Sequence, residues 1–195
     1  KNMMTSSPWL ASIVEPSDIS VLDTIDEKNP PDVKLEMEHM FGLQCDTSRG
    51  SVRYNRDGDV IYPSSKYVCV YNKKANTQTF YTGHCNTISC VAVSFDGQIA
   101  ASVEKCARPQ IAIWDAATAR ELKLLPVLHR RGVSTMEFSK DRKFLLSTGQ
   151  DSDHSIGLWE SASGEWFDAR LKAWNKGDLN PVIFSAFYSA DNILF

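Results

Sequence analysis

The chain has 195 residues, of which 43% are hydrophobic and 23% charged, values that are ordinary for a globular protein. No segment approaches the roughly 18 unbroken apolar residues that a membrane helix needs, so we expect no membrane partner. Residues 1–40 hold three Lys against eight Asp/Glu, whereas residues 41–195 hold eighteen Lys/Arg against sixteen Asp/Glu, and this near-neutral main part argues against nucleic-acid binding.

The first segment, residues 1–33, is an acidic leader rich in Ser and Pro. It begins with Lys1 rather than Met and lacks the apolar core of a signal peptide, so we expect the chain to be a piece of a longer protein. Its scattered apolar residues leave two interpretations open, an extended segment that docks on a neighbour or simple disorder.

The next segment, residues 34–82, predicts an irregular β-unit. SVRYNRDGDVIY reads as a hairpin that turns at Asp57-Gly58, a strong two-residue turn dipeptide. KYVCVYN follows as a strand with alternating apolar residues, and QTFYTGH as an outer strand that leads into His84.

Two internal repeats come next. Ile88–Asp115 and Val133–Glu160 align without a gap at an offset of 45 residues, which places Trp114 over Trp159. A period of about 40–45 residues, with a Gly-His opening and a Trp-Asp close, is the signature of the WD repeat. Each repeat reads as a four-stranded blade, in which a Ser-x-Asp turn follows the first strand and a polar turn follows the third. The first three strands are SCVAV, QIAAS and QIAIW in the first repeat and STMEF, FLLST and SIGLW in the second.

A further unit begins near Pro181, where VIFSAFYSADNILF carries another Ser-x-Asp turn at Ser189 and Asp191. The preceding residues, Lys172 to Asp178, replace the expected Gly-His, and we interpret them as a longer loop between units. The fold prediction is an all-β, incomplete WD-repeat β-propeller. Its parts are the leader (1–33), an atypical blade (34–82), two WD blades (83–127 and 128–172) and the start of a truncated blade (173–195).

A polar set is expected to hold each WD blade together, since a buried Trp N–H needs an acceptor and a Ser hydroxyl can relay to His and a carboxylate. In the first repeat Glu104 or nothing stands in for the Asp. The set comprises His84, Ser102 and Trp114 in the first repeat and His129, Ser147, Asp151 and Trp159 in the second.

A Ser, His and Asp together also suggest a hydrolase, but the same set recurs once per repeat, which nucleophilic sites do not. The sequence has no GxSxG, GxxxxGK[ST] or GxGxxG motif, so we predict no catalytic site and no enzyme. His84, Cys85 and Cys90 are conceivable metal ligands, but zinc sites usually present close ligand pairs, and we predict no metal and no cofactor. The odd count of five cysteines without CxxC favours a reducing cytoplasm.

Candidate partner-binding residues lie in turns and loops, where propellers present variable side chains. Taken singly, each basic group has the alternative of being a solvated turn. The candidates are Lys73, Lys74, Lys105, Arg108, Arg130, Arg131, Arg142 and Lys143.

The segment Leu35 to His84 resembles the HELP motif of the echinoderm microtubule-associated-protein-like family. The matching features are the Leu-Glu-x-Glu run, the Phe41-Gly42 pair and the Val70-Tyr71-Asn72 segment ahead of the Gly-His. The Pro-containing insertion at Cys106–Pro109 in the following repeat is also similar to that family.

The resemblance implies a tandem atypical propeller with the HELP segment built into its first ring. It also implies a non-catalytic scaffold in the cytoplasm and cytoskeleton, including cilia or axonemes, whose partners are tubulin, microtubules and other microtubule-associated proteins. A propeller adaptor in signalling or ubiquitin-pathway assemblies is the alternative.

Overall fold

The computed structural model describes residues 33–45, 50–177, 180, 185–187 and 193–194, so the interpretations of residues 1–32 lie outside the described residues. The chain divides into two compact units, Lys1–Glu36 and Met37–Phe195. Residues 33–36 of the first unit are exposed. In the described part of the second unit every regular element is a β-strand, which confirms the all-β prediction. Three sheets are four-stranded and antiparallel, and a fourth has two strands; in each, spatial order follows chain order.

The first sheet contains β1 (Arg53–Tyr54), β2 (Val60–Ser64), β3 (Tyr67–Asn72) and β4 (Thr77–Tyr81). Its first hairpin turns at Asp57-Gly58 as predicted, and Gly58 has a φ of +83°, where glycine is favoured. The chain before β1 lies against this sheet, because Gln44 N–H donates to the Pro63 carbonyl and Met40 N–H donates to the Gln78 side chain.

The second sheet contains β5 (Ile88–Val93), β6 (Ile99–Glu104), β7 (Ile111–Asp115) and β8 (Glu121–Leu124). Its first three strands are almost continuously buried rather than alternating. They are buried because this sheet packs between the first and third sheets and has apolar neighbours on both faces.

The third sheet contains β9 (Val133–Phe138), β10 (Phe144–Gly149), β11 (Ile156–Glu160) and β12 (Arg170–Asn175). A further pair, β13 (Ala186–Phe187) with β14 (Ile193–Leu194), follows. The turn predicted at Ser189 and Asp191 lies outside the described residues.

The interpretation of Lys172 to Asp178 as a loop between blades is wrong for its first half. Lys172 to Asn175 belong to β12, which pairs with β11 in a register that joins Ile156 to Asn175. Most of the strand is exposed because it is the outer edge of its sheet, so it has no apolar alternation to mark it. Asp178 lies outside the described residues.

Two apolar clusters join the sheets. Ile61, Val68 and Trp114 belong to the cluster between the first and second sheets. Ile113 and Trp159 belong to the cluster between the second and third. Complete burial of such side chains stabilises by about 1.5–3 kcal/mol each, so the packing of blade on blade is the main source of stability.

The antiparallel strand order places the connections between strands at two opposite ends of the sheets. The turn end consists of the connections within hairpins β1–β2, β3–β4, β5–β6, β7–β8, β9–β10 and β11–β12. The loop end consists of the β2–β3, β6–β7 and β10–β11 connections and those between sheets. At the turn end, Arg56 N–H donates to the Gly97 carbonyl across the first two sheets. At the loop end, Val133 N–H donates to Ser89 Oγ across the second and third.

Candidate functional site

In the third sheet, His129, Ser147 and Trp159 form a buried chain of hydrogen bonds. Trp159 Nε1–H donates to Ser147 Oγ at 2.9 Å, and that hydroxyl lies 2.6 Å from His129 Nε2. All three residues are at most 1% exposed. The strands position them: Ser147 is on β10, Trp159 is on β11, and His129 lies in the connection before β9.

The chain continues to Asp151 through a residue that the sequence reasoning missed. His129 Nδ1 lies 2.8 Å from Ser155 Oγ, and Ser155 Oγ–H donates to Asp151 Oδ2 at 2.5 Å. The same carboxylate accepts the backbone N–H of Arg130 at 3.3 Å. A Ser four residues after the Asp, just before the third strand, is the sequence signal that could have identified this relay.

With Asp151 ionised and the His129 ring neutral, these contacts give one consistent set of donors and acceptors. An ionised carboxylate only accepts, so Ser155 must donate to Asp151 and accept from His129 Nδ1–H. Nε2 of the neutral ring is then an acceptor for the Ser147 hydroxyl, which leaves a Ser147 lone pair for Trp159 N–H. This arrangement has a neutral His129, and the 2.6 Å contact of Ser147 Oγ with Nε2 is shorter than its 3.4 Å contact with the Gly157 carbonyl.

The pKa shifts agree with a neutral His129 and an ionised Asp151. Burial lowers the pKa of His129 to about 4, because the charged ring would lose its hydration. Burial raises the pKa of Asp151, but hydrogen bonds from the Ser155 hydroxyl and amide outweigh it and hold that pKa below its usual value. Neutral imidazole and ionised carboxylate therefore coexist at pH 7.

The second sheet has the shorter version of this chain. Trp114 Nε1–H donates to Ser102 Oγ at 3.0 Å, and His84 Nε2 lies 2.8 Å from the same hydroxyl. Burial lowers the pKa of His84 to about 4. Glu104 accepts the backbone N–H groups of Cys85 and Asn86 at 2.8 and 2.7 Å, so this carboxylate holds the connection before β5.

Neither chain has the form of a nucleophilic site. Ser102 and Ser147 are 0% exposed, and each hydroxyl accepts a tryptophan N–H. A substrate carbonyl has no route to either oxygen, and the chemistry that the chains support is structural.

The structure separates the eight candidate basic residues between the two ends. Lys73, Lys74, Arg142 and Lys143 lie at the turn end, and Lys105, Arg108, Arg130 and Arg131 lie at the loop end. Seven of the eight are exposed, and Arg142 is half-buried.

Arg142 differs because it joins two sheets. Its guanidinium pairs with Asp96 at 2.9 Å and donates to Gln98 Oε1 at 2.6 Å, both in the β5–β6 turn. Its side chain therefore stabilises the contact between the second and third sheets rather than extending freely toward a partner.

The four candidate basic residues at the loop end have no acidic partners among the described residues. Within the described part of the chain, no ion pair includes Lys105, Arg108, Arg130 or Arg131. The nearby carboxylates have other partners. Glu104 and Asp151 accept backbone N–H groups, and Asp153 pairs with Lys176 at 3.4 Å.

Among the described residues, no group of three or more His, Cys, Asp or Glu is arranged to hold a metal ion. Nor does any described helix have the length and apolar character needed to cross a membrane.

The family described as "WD domain, G-beta repeat" matches residues 75–115 and 123–160. Together with the three four-stranded sheets, this match confirms the prediction of an incomplete WD-repeat propeller.

Several curated proteins are similar to most of the chain. Echinoderm microtubule-associated protein-like 4 of Xenopus tropicalis is 32% identical over 157 residues, which cover 74% of this chain and 17% of that protein. Cilia- and flagella-associated protein 52 of Sus scrofa is 30% identical over 156 residues, or 78% of this chain and 25% of that protein. Ciliary WD repeat-containing protein ctxp80 of Euplotoides octocarinatus is 24% identical over 181 residues, or 84% of this chain and 25% of that protein. The chain thus spans a quarter or less of the length of these relatives.

Proposed function

Because this chain is a WD-repeat homologue of the echinoderm microtubule-associated-protein-like proteins, we propose that it is part of a non-catalytic, microtubule-associated scaffold. Its partners are tubulin or neighbouring microtubule-associated proteins, and its location is the cytoskeleton, including cilia and axonemes. The names of the relatives from Sus scrofa and Euplotoides octocarinatus support the ciliary part. The segment from Leu35 to His84 serves in this proposal as a HELP-type blade.

The observation that carries the proposal is the set of unpaired cations at the loop end. Lys105, Arg108, Arg130 and Arg131 are exposed and have no ion pair in the described part of the chain. Such charges attract an acidic surface such as that of tubulin, and salt screens the attraction over about 10 Å at 0.1 M. Rigid blades beneath them hold the loops in place without any catalytic step.

Co-sedimentation of the full-length protein with microtubules tests the proposal. We expect binding that weakens as salt rises, and a loss of about tenfold in the K105Q/R108Q/R130Q/R131Q variant. The matched control K73Q/K74Q/K140Q/K143Q removes the same charge from the turn end and should change binding less than about twofold.

Binding that is absent altogether or unaffected by salt would contradict the proposal. A pull-down dominated by one soluble peptide-bearing partner, with no tubulin, would instead favour an adaptor in signalling or ubiquitin-pathway assemblies.

A further inference from the structure

A pocket of about 530 Å³ opens at the loop end beside the connection that joins the second and third sheets. It is lined by Ala107, Arg108, Val127, Leu128, His129 and Arg130. We call it the Arg108–Arg130 pocket. It contains two arginines and no carboxylate among its lining residues.

The two arginines come from different loops. Arg108 lies in the β6–β7 connection, and Arg130 lies in the connection from β8 to β9. The backbone N–H of Arg130 is held by Asp151, which is itself bound to Ser155 and through it to His129. The buried chain of the third sheet thus holds the backbone at Arg130 before any ligand arrives, which lowers the entropic cost of ordering this loop on binding.

We propose that the Arg108–Arg130 pocket binds a carboxylate side chain of an acidic peptide on the partner. A guanidinium presents paired N–H donors that match the two oxygens of a carboxylate, and neither arginine has an ion pair within the described residues. The proposal rests on the proposed function, since it names the chemistry that the microtubule-associated partner presents to this end.

A neighbouring pocket of about 210 Å³ shares Leu128 and Arg130 but suits an anion less well. It is also lined by Asp153 and Lys176, which form an ion pair at 3.4 Å, so its positive charge is largely cancelled. The buried Asp151 adds negative charge on the same side. The acidic side chain should therefore enter on the Arg108 side of Arg130.

A carboxylate fits this pocket better than a phosphate group. The backbone N–H of Arg130 is already committed to Asp151, so the donors that remain from this residue are those of its guanidinium. Phosphate sites usually add several backbone N–H groups to their cations. A peptide rich in glutamate is thus the favoured ligand class.

The test is a titration of labelled hexaglutamate with the full-length protein, followed by fluorescence anisotropy, with hexaglutamine as the neutral reference. The R108Q/R130Q variant should bind hexaglutamate at least about tenfold more weakly, as expected for the loss of two charge-assisted contacts. The control K73Q/K74Q, with the same change in net charge, should stay within about twofold. Both pairs are exposed, so folding should be unchanged by circular dichroism.

Equal losses in the two variants, no loss in R108Q/R130Q, or tighter binding of a phosphorylated peptide of equal charge would overturn the assignment. A reversed variant, R108E/R130E, should gain binding to hexalysine, and failure to do so also counts against the pocket.

The two binding experiments distinguish a failure of the pocket assignment from a failure of the proposed function. Wild-type protein that binds microtubules but not hexaglutamate would overturn the pocket and leave the proposed function standing. Wild-type protein that binds hexaglutamate but not microtubules would overturn the proposed function and support the pocket.

Discussion

At the scale of single residues, Ser147 joins two buried side chains of the third sheet. Its hydroxyl donates to His129 and accepts from Trp159, and both partners are buried. The sequence predicted these three residues as a set because they recur with the repeat. Ser155 was not predicted because the first repeat has Gln110 at the matching position, so comparison of the two repeats does not mark it. Its place four residues after Asp151 is a signal within the second repeat alone.

Replacement of this serine should destabilise the third sheet. Ser147→Ala leaves the N–H of Trp159 and Nε2 of His129 buried without partners, which costs about 1–3 kcal/mol. Urea unfolding of the full-length protein, followed by tryptophan fluorescence, measures the change. Ser152→Ala, at an exposed position in the next loop, is the control and should cost less than about 0.5 kcal/mol. Equal midpoints for the two variants would contradict the role of Ser147.

The buried histidines predict a pH dependence. Burial lowers the pKa of His84 and of His129 to about 4, whereas both rings titrate near 6.5 in the unfolded chain. Between these values the unfolded state binds more protons, so the free energy of unfolding falls as pH falls from about 6.5 toward 4. The slope should be about 1.4 kcal/mol per pH unit for each histidine.

Urea midpoints measured at intervals between pH 7.5 and 4.5 test this slope. Unchanged stability between pH 6.5 and 5 would show that the rings are protonated in the folded state. The H129Q variant should show about half of the wild-type slope, because only His84 then remains.

At the scale of elements, the sequence located the inner strands of the two WD repeats but not the residues of their outer strands, whereas it did locate the outer strand β4 of the first sheet. β5 to β7 and β9 to β11 are marked by apolar residues that neighbouring sheets cover. β8 and β12 are edge strands whose residues are largely exposed, and hydrogen bonds to β7 and β11 define them. Pairing of this kind leaves no periodic signal in the sequence.

The contact between the β1–β2 and β5–β6 turns depends on Gly97. Its φ is +70°, and a Cβ there would lie 2.3 Å from the backbone nitrogen of Arg56. Gly58 has a similar φ of +83° but open space around it. Alanine at either position should therefore cost about 1 kcal/mol of stability, because its side chain disfavours a positive φ. Only Gly97→Ala should also disturb the packing of the first sheet on the second.

Thermal unfolding distinguishes the two effects. G97A should be less stable than G58A by at least about 1 kcal/mol, in addition to the strain that they share. Equal free energies of unfolding for G97A and G58A would contradict this expectation, because the first sheet would then shift away from the new Cβ at position 97 at no cost.

At the scale of the whole molecule, the repeat period predicted the blades, but the distribution of charge had to come from the structure. The sequence groups Lys140 to Lys143 with Arg130 and Arg131 as basic clusters a few residues apart. The β9 strand places them at opposite ends of the sheet, and Arg142 is paired with Asp96. Sequence proximity could not reveal this separation, because antiparallel pairing decides which connections share an end.

The central claim is that the loop end of the propeller faces the microtubule. A reconstruction of the full-length protein on microtubules tests it most directly, because it shows which connections meet the lattice. We expect the loops that carry Lys105, Arg108, Arg130 and Arg131 to lie against tubulin or an adjoining microtubule-associated protein. A lattice contact made by the turn end, through Lys73, Lys74 and Lys143, with the loop end facing solvent would contradict it.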